Sequence, residues 1–400
     1  MSDQFSASEH LVGYLYQIRY ALFILLKKIR DESGIELSIE QLDDVAFERQ
    51  GEPIELLQLK HHISKKAALT DSSPDLWKTI RVWSTQIAEN PNRFNEVILT
   101  LITTSKAPEL TIPSWLKRDE HRDETQALNN LISIANKSKN KANKPAYDAF
   151  LSLSAQQKIM LVSRIYVIDG SPNIRDVESK IAQEIHLLSR FPGSLKSRLE
   201  GWWFKIVIDH LMSDEYNTIK GVELQRKIYD LQDELGKENL PNDFPEILEM
   251  DEEELSENER IFVHQLRLIL LGKTRLRIAV GDYYRAFQQR TKWLSEGLIY
   301  PGELERYESY LVGEWRRQFE IMKEDMGDTL PNQDRMAELG KNLFRWFETN
   351  NFTPIRPSYI DSYLSRGSYH LLANRLRVGW HPEFLERLGH LIAQAANQVS

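Results

Sequence analysis

The 400-residue chain contains no cysteine, which excludes disulfides, thiolate zinc sites and cysteine nucleophiles. It also lacks a long uninterrupted apolar run. The most apolar stretch, residues 11–26, contains Gln17 and Arg19, and no basic segment precedes it. A secretory signal peptide and a membrane-spanning helix are therefore not expected. These features favour a cytoplasmic protein.

The chain does not have the positive charge of a protein that binds nucleic acid over its whole surface. Its formal net charge is -8, so any contact with nucleic acid requires a local basic patch. Hydrophobic residues make up 41% and charged residues 28% of the sequence, a composition typical of folded domains rather than disordered chains. The length predicts two or three domains.

Several common catalytic motifs are missing. The sequence has no nucleophile elbow, no HExxH pair and no Rossmann glycine fingerprint. The tripeptide Gly272-Lys273-Thr274 resembles the end of a phosphate-binding loop, but Arg267 stands where that loop requires glycine. A nucleotide-binding loop is therefore not expected there.

The first hundred residues predict an α/β core. Leucine and isoleucine recur every three or four positions in residues 9–30, which predicts an amphipathic helix. Shorter apolar runs bounded by turn residues then predict strands, and a Ser-Pro-Asp start predicts a second helix. The predicted order is a helix (9–30), a short strand (35–39), a hairpin (42–48 and 54–60), a helix (74–89) and a strand (95–104).

From about residue 158 onwards, one strand is predicted at 164–169, and helical periodicity follows at 176–188, 195–212 and 221–235. The lysine-rich stretch 136–144 predicts an exposed loop, and the acidic, proline-containing stretch 236–259 marks a boundary. That acidic stretch is interpreted as a linker or a helix start, and a plug over a basic site is the alternative. Continuous helical patterns follow at 259–300, 302–325 and 334–349. The predicted domains are 1–170, a helical extension at 171–240, and a helical region at 255–400.

Three residues of the predicted hairpin combine into a candidate site. Asp44 begins one strand, and Gln58 and Lys60 end the next. If the strands pair across the turn at 49–53, the start of one lies beside the end of the other. Gln58 and Lys60 are two residues apart, so their side chains share a face. A carboxylate, an amide and an ammonium are thus expected to meet.

This group is suited to metal-assisted hydrolysis of phosphodiesters. Mg²⁺ prefers oxygen ligands and retains several waters, so Asp44 and Gln58 are the predicted ligands of Mg²⁺ or Mn²⁺. Lys60 is predicted to orient water and to stabilise developing negative charge. The alternative is a lysine of an edge strand, on a solvated face, with no catalytic role.

Basic residues near the hairpin predict a DNA-binding patch. They follow the strand that ends at Lys60 and continue onto the next predicted helix, and they are His61, Lys65, Lys66, Lys78 and Arg81. Solvated surface charges are the alternative interpretation. Gln17 is either a polar group aimed at the catalytic face or a surface glutamine. Adjacent side chains on a strand diverge, so His61 and His62 do not predict a zinc site.

The residue pattern resembles known nucleases. Asp44…Gln58-x-Lys60 and the order helix, three strands, helix, strand are similar to the PD-(D/E)xK superfamily. Further segments resemble the dsDNA-nuclease domain of bacterial antiphage effectors of CBASS and Lamassu-type systems, over roughly residues 5–235. These segments are Gly13-Tyr14-Leu15-Tyr16-Gln17, Leu42-Asp43-Asp44-Val45, Leu57-Gln58-Leu59-Lys60-His61 and Asp75-Leu76-Trp77-Lys78.

The last third of the chain has a separate resemblance, to the C-terminal domain of ABC-three-component effectors. It is carried by Phe262–Leu266, Asp282–Arg290, Trp293, Glu314-Trp315, Arg366-Gly367-Ser368 and Gly379-Trp380-His381-Pro382. In those systems the effector is encoded with an SMC-like ATPase and a small middle component. Together, the two halves resemble the nuclease subunit of Lamassu systems.

The resemblance implies a Mg²⁺-dependent DNA endonuclease that its ATPase and middle partners keep silent. Release and self-association into a homo-oligomer, a tetramer, would activate it. The resemblance assigns catalytic positions to Asp44, Gln58 and Lys60 and a polar position to Gln17. Alternatives are a catalytically inactive DNA-binding adaptor, or an enzyme that acts on RNA.

Gln58 departs from the superfamily pattern, because a neutral amide binds Mg²⁺ less tightly than a carboxylate. A second acidic group is therefore expected, and Asp43, Glu36 and Glu40 are the candidates. In the C-terminal region, aromatic residues recur at helical spacing and are expected to form core: Tyr283, Tyr284, Phe287, Trp293, Tyr307, Tyr310, Trp315 and Phe319. The arginines between them are expected to contact either partner proteins or internal acidic residues. This region is expected to serve docking and oligomerisation.

Overall fold

A computed structural model describes residues 2–32, 34–62, 68–246, 258–327, 332–349 and 352–398. The chain forms two compact units, Met1–Gln232 and Asp233–Ser400. The first unit is a mixed α/β structure built on a six-stranded sheet, and the second is mainly helical. This confirms the predicted fold class.

The sheet of the first unit has the strand order β5-β4-β3-β2-β1-β6. Strands β1, β2, β3 and β6 pair antiparallel, whereas β3, β4 and β5 pair parallel. The strands are β1 (Glu36–Ile39), β2 (Val45–Arg49), β3 (Glu52–Lys60), β4 (Ile98–Thr103), β5 (Ile165–Ile168) and β6 (Ile219–Lys220). The predicted strands near 35–39, 95–104 and 164–169 and the predicted hairpin are confirmed.

The hairpin of β2 and β3 closes through a tight turn at Gln50 and Gly51. Both residues have positive φ, 53° and 81°, as a two-residue turn that follows strand twist requires. The pairing places Val45 opposite Leu57, so Asp44, just before β2, lies next to Gln58. A register shift follows between Phe47 and Glu48.

Helices cover both faces of the sheet. The helices of this unit are α1 (Ser2–Lys28), α2 (Pro74–Glu89), α3 (Ile112–Trp115), α4 (Glu124–Lys137), α5 (Lys144–Ser152), α6 (Ala155–Arg164), α7 (Ile174–Ile185), α8 (Pro192–Leu211) and α9 (Gly221–Glu234). The predicted bounds of α2 are confirmed, and its apolar side chains Leu76, Ile80, Trp83 and Ile87 are buried as predicted. Residues 104–164 hold four helices that the sequence analysis did not identify.

Alternation along the hairpin assigns its side chains to the two faces. Ala46 and Leu56 pack into the core formed with α2. On the opposite face, Lys28 of α1 lies over the Phe47 ring and pairs with Glu55, Nζ to Oε2, at 2.8 Å. The face of Leu56 is also the face of Gln58 and Lys60, because residues two apart in a strand share a face.

The structure groups residues 171–240 differently from the sequence prediction. Up to Gln232 they belong to the same unit as the sheet. Helix α7 packs against α1, and Leu37 pairs with Ile219 of β6 at the sheet edge. The predicted helical extension is thus a structural part of the α/β unit.

The second unit contains helices α10 (Ile261–Leu268), α11 (Lys273–Ser295), α12 (Pro301–Met326), α13 (Gln333–Thr349), α14 (Tyr363–Ala373) and α15 (Phe384–Gln398). The continuous helical pattern predicted for 259–300 is wrong. Leu270 has a φ of 52°, a left-handed conformation that ends a helix, and a new helix starts after Gly272. Of the acidic stretch at the boundary, residues 247–257 lie outside the described residues.

The aromatic residues of the second unit are mostly core, as predicted. Trp293, Tyr307, Trp315 and Phe319 are buried, but Phe287 and Tyr310 are 51% and 71% exposed. Three of the arginines contact internal groups. Arg290 pairs with Glu308, Arg275 pairs with Glu348, and Arg285 donates to the Phe244 carbonyl. They therefore contact groups of their own unit, and Arg290 and Glu308 are both buried.

Among the described helices, none has an apolar stretch of the length and low charge that crossing a membrane requires.

Candidate active site

The three predicted site residues converge. Lys60 Nζ donates to Asp44 Oδ2 at 3.2 Å and to Gln58 Oε1 at 2.7 Å. Gln58 Nε2 donates to Asp44 Oδ1 at 3.1 Å. Each of the three side chains thus contacts the other two, and the predicted juxtaposition is confirmed as geometry.

The convergence follows from the register of the hairpin and from one backbone contact. Asp44 Oδ2 also accepts a hydrogen bond from the Leu59 backbone N–H at 2.7 Å, which ties the start of β2 to the end of β3. β3 lies between β2 and β4, so Lys60 is not on an edge strand. The site opens at the ends of interior strands, where the side chains of Lys60 and Asp44 are 20% and 13% exposed.

Asp43 lies behind the site rather than in its opening. Its residue is 8% exposed. Asp43 Oδ1 accepts from Gln58 Nε2 and from the Asp44 backbone N–H, and Oδ2 accepts from Trp83 Nε1 at 2.7 Å. Burial raises the pKa of Asp43 to about 7, although the hydrogen bonds from Gln58 and Trp83 favour the ionised form.

The oxygen donors of the site meet part of the needs of a divalent cation. Asp44 Oδ2 and Gln58 Oε1 both accept from Lys60 Nζ and so lie near each other, and a hard cation such as Mg²⁺ accepts one carboxylate, a carbonyl oxygen and several waters. No group of three His, Cys, Asp or Glu side chains within the described ranges is arranged for a metal. The residues fit a sparsely liganded Mg²⁺ or Mn²⁺ site, and they do not fit a fully protein-coordinated one.

The structure separates the three candidates for an additional acidic group. Glu36 Oε2 accepts from Thr218 Oγ1 at 2.6 Å, towards the β6 edge. The charges of Asp44 and Lys60 both act on the carboxyl group of Glu40. Partial desolvation and Asp44 raise its pKa, whereas Lys60 lowers it. Glu40 is exposed, and Asp43 is buried with both oxygens bonded. Glu40 is therefore the candidate nearest to the opening.

Gln17 and His61 lie on the α1 side of β3. The rings of His61 and Tyr16 are 4.7 Å apart. The His61 ring nitrogens and Gln17 Oε1 are buried and have no hydrogen-bond partner in the part of the chain that is described. Burial and the neighbouring His62 lower the pKa of His61, which favours a neutral ring. This placement does not support the predicted contact of His61 with DNA phosphates.

His62 and Asp75 form a pair that the sequence analysis did not identify. His62 Nε2 contacts Asp75 Oδ2 at 2.5 Å. Partial burial raises the pKa of Asp75, but His62, Lys60 and Lys78 lower it more, so the net shift is downward. The spacing of Gln58, Lys60 and His62 was a usable signal for a shared face. No signal in the sequence indicated that Asp75, in the first turn of α2, is the partner of His62.

The remaining predicted DNA-binding residues divide into two groups. Lys78 and Arg81 are exposed on α2 and stand three residues apart, so they share a helix face. Lys78 is near Asp75, as the effect on the Asp75 pKa shows. Lys65 and Lys66 lie outside the described residues. The two basic residues on α2 thus extend positive charge from the site along the helix.

Comparison with family models gives one match. Residues 262–388 match the model of C-terminal domain 7 of the ABC-three component (ABC-3C) systems. The match covers most of the helical second unit and about a third of the chain. It supports the resemblance that the sequence shows for this region, and it associates the chain with ABC-three-component systems. A search of curated proteins found no match.

Proposed function

We propose that the chain is a metal-dependent DNA endonuclease that acts as the effector subunit of an ABC-three-component defence system of the Lamassu type. The observation that carries the proposal is the mutual contact of Asp44, Gln58 and Lys60 at the ends of interior strands. It is supported by the order α1, β1, β2, β3, α2, β4, which is that of the PD-(D/E)xK core.

Each residue has a distinct role in this proposal. Asp44 and Gln58 Oε1 supply oxygen ligands, and Mg²⁺ bound there would polarise the scissile phosphate and acidify water. Lys60 places a positive charge beside both oxygens, where it stabilises negative charge that develops on the phosphate and orients the attacking water. Lys78 and Arg81 lie on α2, where they can hold phosphates of the substrate strand.

The second unit supports the assignment to a multi-component system. Its match to an ABC-three-component C-terminal domain favours a docking role with an SMC-like ATPase and a small middle subunit. We infer that these partners keep the nuclease silent and that its release permits self-association, with a tetramer as the active form. The net charge of -8 is compatible with such control, because it weakens DNA binding by the isolated chain.

A cleavage assay tests the enzymatic proposal. The purified chain, alone and with its partner subunits, is incubated with supercoiled plasmid and either Mg²⁺ or EDTA. We expect metal-dependent nicking that Lys60→Ala abolishes. Lys205→Ala, which removes an exposed lysine of α8, is the matched control and is expected to cut like the parent. Cleavage by Lys60→Ala at the parental rate would refute the site.

A catalytically inactive DNA-binding adaptor is the second candidate. It is favoured by Gln58, because a neutral amide binds a metal less tightly than a carboxylate, and by the net charge of -8. The adaptor is distinguished by titrating Mg²⁺ and Mn²⁺ while both DNA binding and cutting are measured. Binding without cutting at every metal concentration, with the partners present, would favour the adaptor. Supercoiled DNA, linear DNA and structured RNA are compared in the same assay to identify the substrate.

A further inference from the structure

The amide group of Gln58 has two possible orientations, and only one of them is useful for a metal. A glutamine amide places its carbonyl oxygen on one side and its NH₂ group on the other. In the structure Gln58 Oε1 faces Lys60, whereas Nε2 faces the carboxylates of Asp43 and Asp44. Rotating the amide by 180° would bring Nε2 against the Lys60 ammonium and turn the oxygen towards the carboxylates of Asp43 and Asp44.

Asp43 provides the acceptor that selects this orientation. Asp44 contributes to the selection through Oδ1, which accepts from Gln58 Nε2 at 3.1 Å, while its Oδ2 accepts from the Leu59 N–H and from Lys60. Asp43 faces Nε2 from the buried side, where Gln58 is only 5% exposed. An ionised Asp43 opposite the amide oxygen would leave both acceptors without a donor, which costs free energy.

Trp83 in turn orients Asp43. Its indole N–H donates to Asp43 Oδ2 at 2.7 Å, and the ring is fully buried in the core beneath α2. The Asp44 backbone N–H donates to Oδ1 at 3.0 Å. The carboxylate is therefore held from two sides, and it has no oxygen left over to serve as a metal ligand of its own.

We propose that Asp43 and Trp83 are positioning residues, which hold the Gln58 amide with its oxygen towards the metal site. This inference rests on the proposed function. It also explains how the chain uses glutamine at a position where the superfamily pattern has an acidic residue: the oxygen of a neutral amide has to be oriented, whereas both oxygens of a carboxylate are equivalent.

Mn²⁺ binding, followed through the EPR signal of free Mn²⁺ with the full-length chain, tests the inference without relying on activity. Asp43→Asn leaves one acceptor oxygen for the donors of Gln58, Asp44 and Trp83, so we expect Mn²⁺ affinity to fall about 10-fold. Trp83→Phe should weaken binding in the same direction, by roughly 3-fold or more. The plasmid cleavage rate is recorded at each metal concentration.

Trp77→Phe is the matched control. Trp77 is also fully buried on α2, and its Nε1 donates at 2.7 Å to the backbone carbonyl of Asp71, away from the site. The two tryptophan variants therefore lose the same kind of hydrogen bond from the same helix. Equal Mn²⁺ affinity of Trp83→Phe and Trp77→Phe would overturn the inference. If Asp43→Asn does not fold, this pair carries the test.

A change of background separates positioning from general structural damage. In Gln58→Glu the side chain has no NH₂ group to orient, and a carboxylate at 58 faces that of Asp43. In this background Asp43→Asn replaces a carboxylate that repels the one at position 58 with an amide that can donate to it. We therefore expect Mn²⁺ binding to be unchanged or stronger. An equal loss in both backgrounds would overturn the inference. A parent chain that neither binds Mn²⁺ nor cuts DNA with its partners present would refute the proposed function, and this inference with it.

Discussion

Asp44→Asn is the most informative single substitution, because Asp44 contacts every other member of the site. Its Oδ1 accepts from Gln58 Nε2 at 3.1 Å, and its Oδ2 accepts from Leu59 N at 2.7 Å and from Lys60 Nζ at 3.2 Å. An asparagine can keep its oxygen towards the two donors at Oδ2. Its NH₂ group then faces the NH₂ group of Gln58.

The expected loss of stability is small. The bond from Gln58 to a charged acceptor is worth about 1.5–3 kcal/mol. The attraction to the partly exposed Lys60 adds about 0.5 kcal/mol, and removing a partly buried charge recovers some desolvation energy. We therefore expect the free energy of unfolding to fall by about 1–2 kcal/mol, so the variant remains folded at room temperature.

The expected loss of activity is much larger. Asp44→Asn removes a carboxylate that contacts both Gln58 and Lys60, so plasmid cleavage should fall by about 100-fold or more. Cleavage is followed as the conversion of supercoiled to nicked plasmid, and stability as urea unfolding.

Asp148→Asn is the control: Asp148 is 57% exposed in an ion pair with Lys144, and its loss should cost about 0.5 kcal/mol or less. Parental cleavage by a folded Asp44→Asn variant would refute the assignment.

The second unit supports two further predictions. A side chain at Gly367 of α14 would clash with the Asp282 backbone carbonyl on α11, whereas Gly313 of α12 has no atom within 4 Å of an added Cβ. Gly367→Ala should therefore cost about 3 kcal/mol or more in urea unfolding, and Gly313→Ala should stabilise by about 0.5–1 kcal/mol; equal effects would contradict the close approach. Burial lowers the pKa of His370 to about 3, and Arg366 adds to the effect. The unfolded chain binds the proton near pH 6.5 and the folded chain does not, so stability is lost as pH falls from about 6.5 to 3. His370→Gln should lose about 3 kcal/mol less than the parent between pH 7 and pH 4, and parallel pH profiles would contradict this.

The predicted elements succeeded where local rules decide. The start of α2 at Pro74 follows from a proline tolerated in the first helical turn, and the turn at Gln50 and Gly51 follows from a glycine that accepts positive φ. The prediction of a continuous helix through Leu270 was wrong, because leucine gives no sign of a left-handed conformation. Gly272, just before the new helix, was a usable signal for the break, but the helical periodicity on its two sides favoured a continuous helix.

The hydrogen-bond partners of the residues around the site could not be predicted from the sequence. The partner of Asp43 is Trp83, a residue on the next helix whose apolar ring predicted only core. His62 is likewise paired with Asp75, a residue of α2 that lies beyond the segment whose pattern predicts a strand. Side-chain hydrogen bonds between such residues depend on how α2 lies on the sheet, and no periodicity encodes that placement.

The sequence by itself determined that Gln58 and Lys60 share a face and that Asp44 lies at the matching end of the neighbouring strand. Alternation and antiparallel pairing act over a few residues, and both are properties of the local chain. Tertiary structure alone decided which acidic group is buried and which stays open, and which way the Gln58 amide points. Those outcomes depend on desolvation and on donors brought from distant positions, because a polar group is oriented by whatever the fold packs against it.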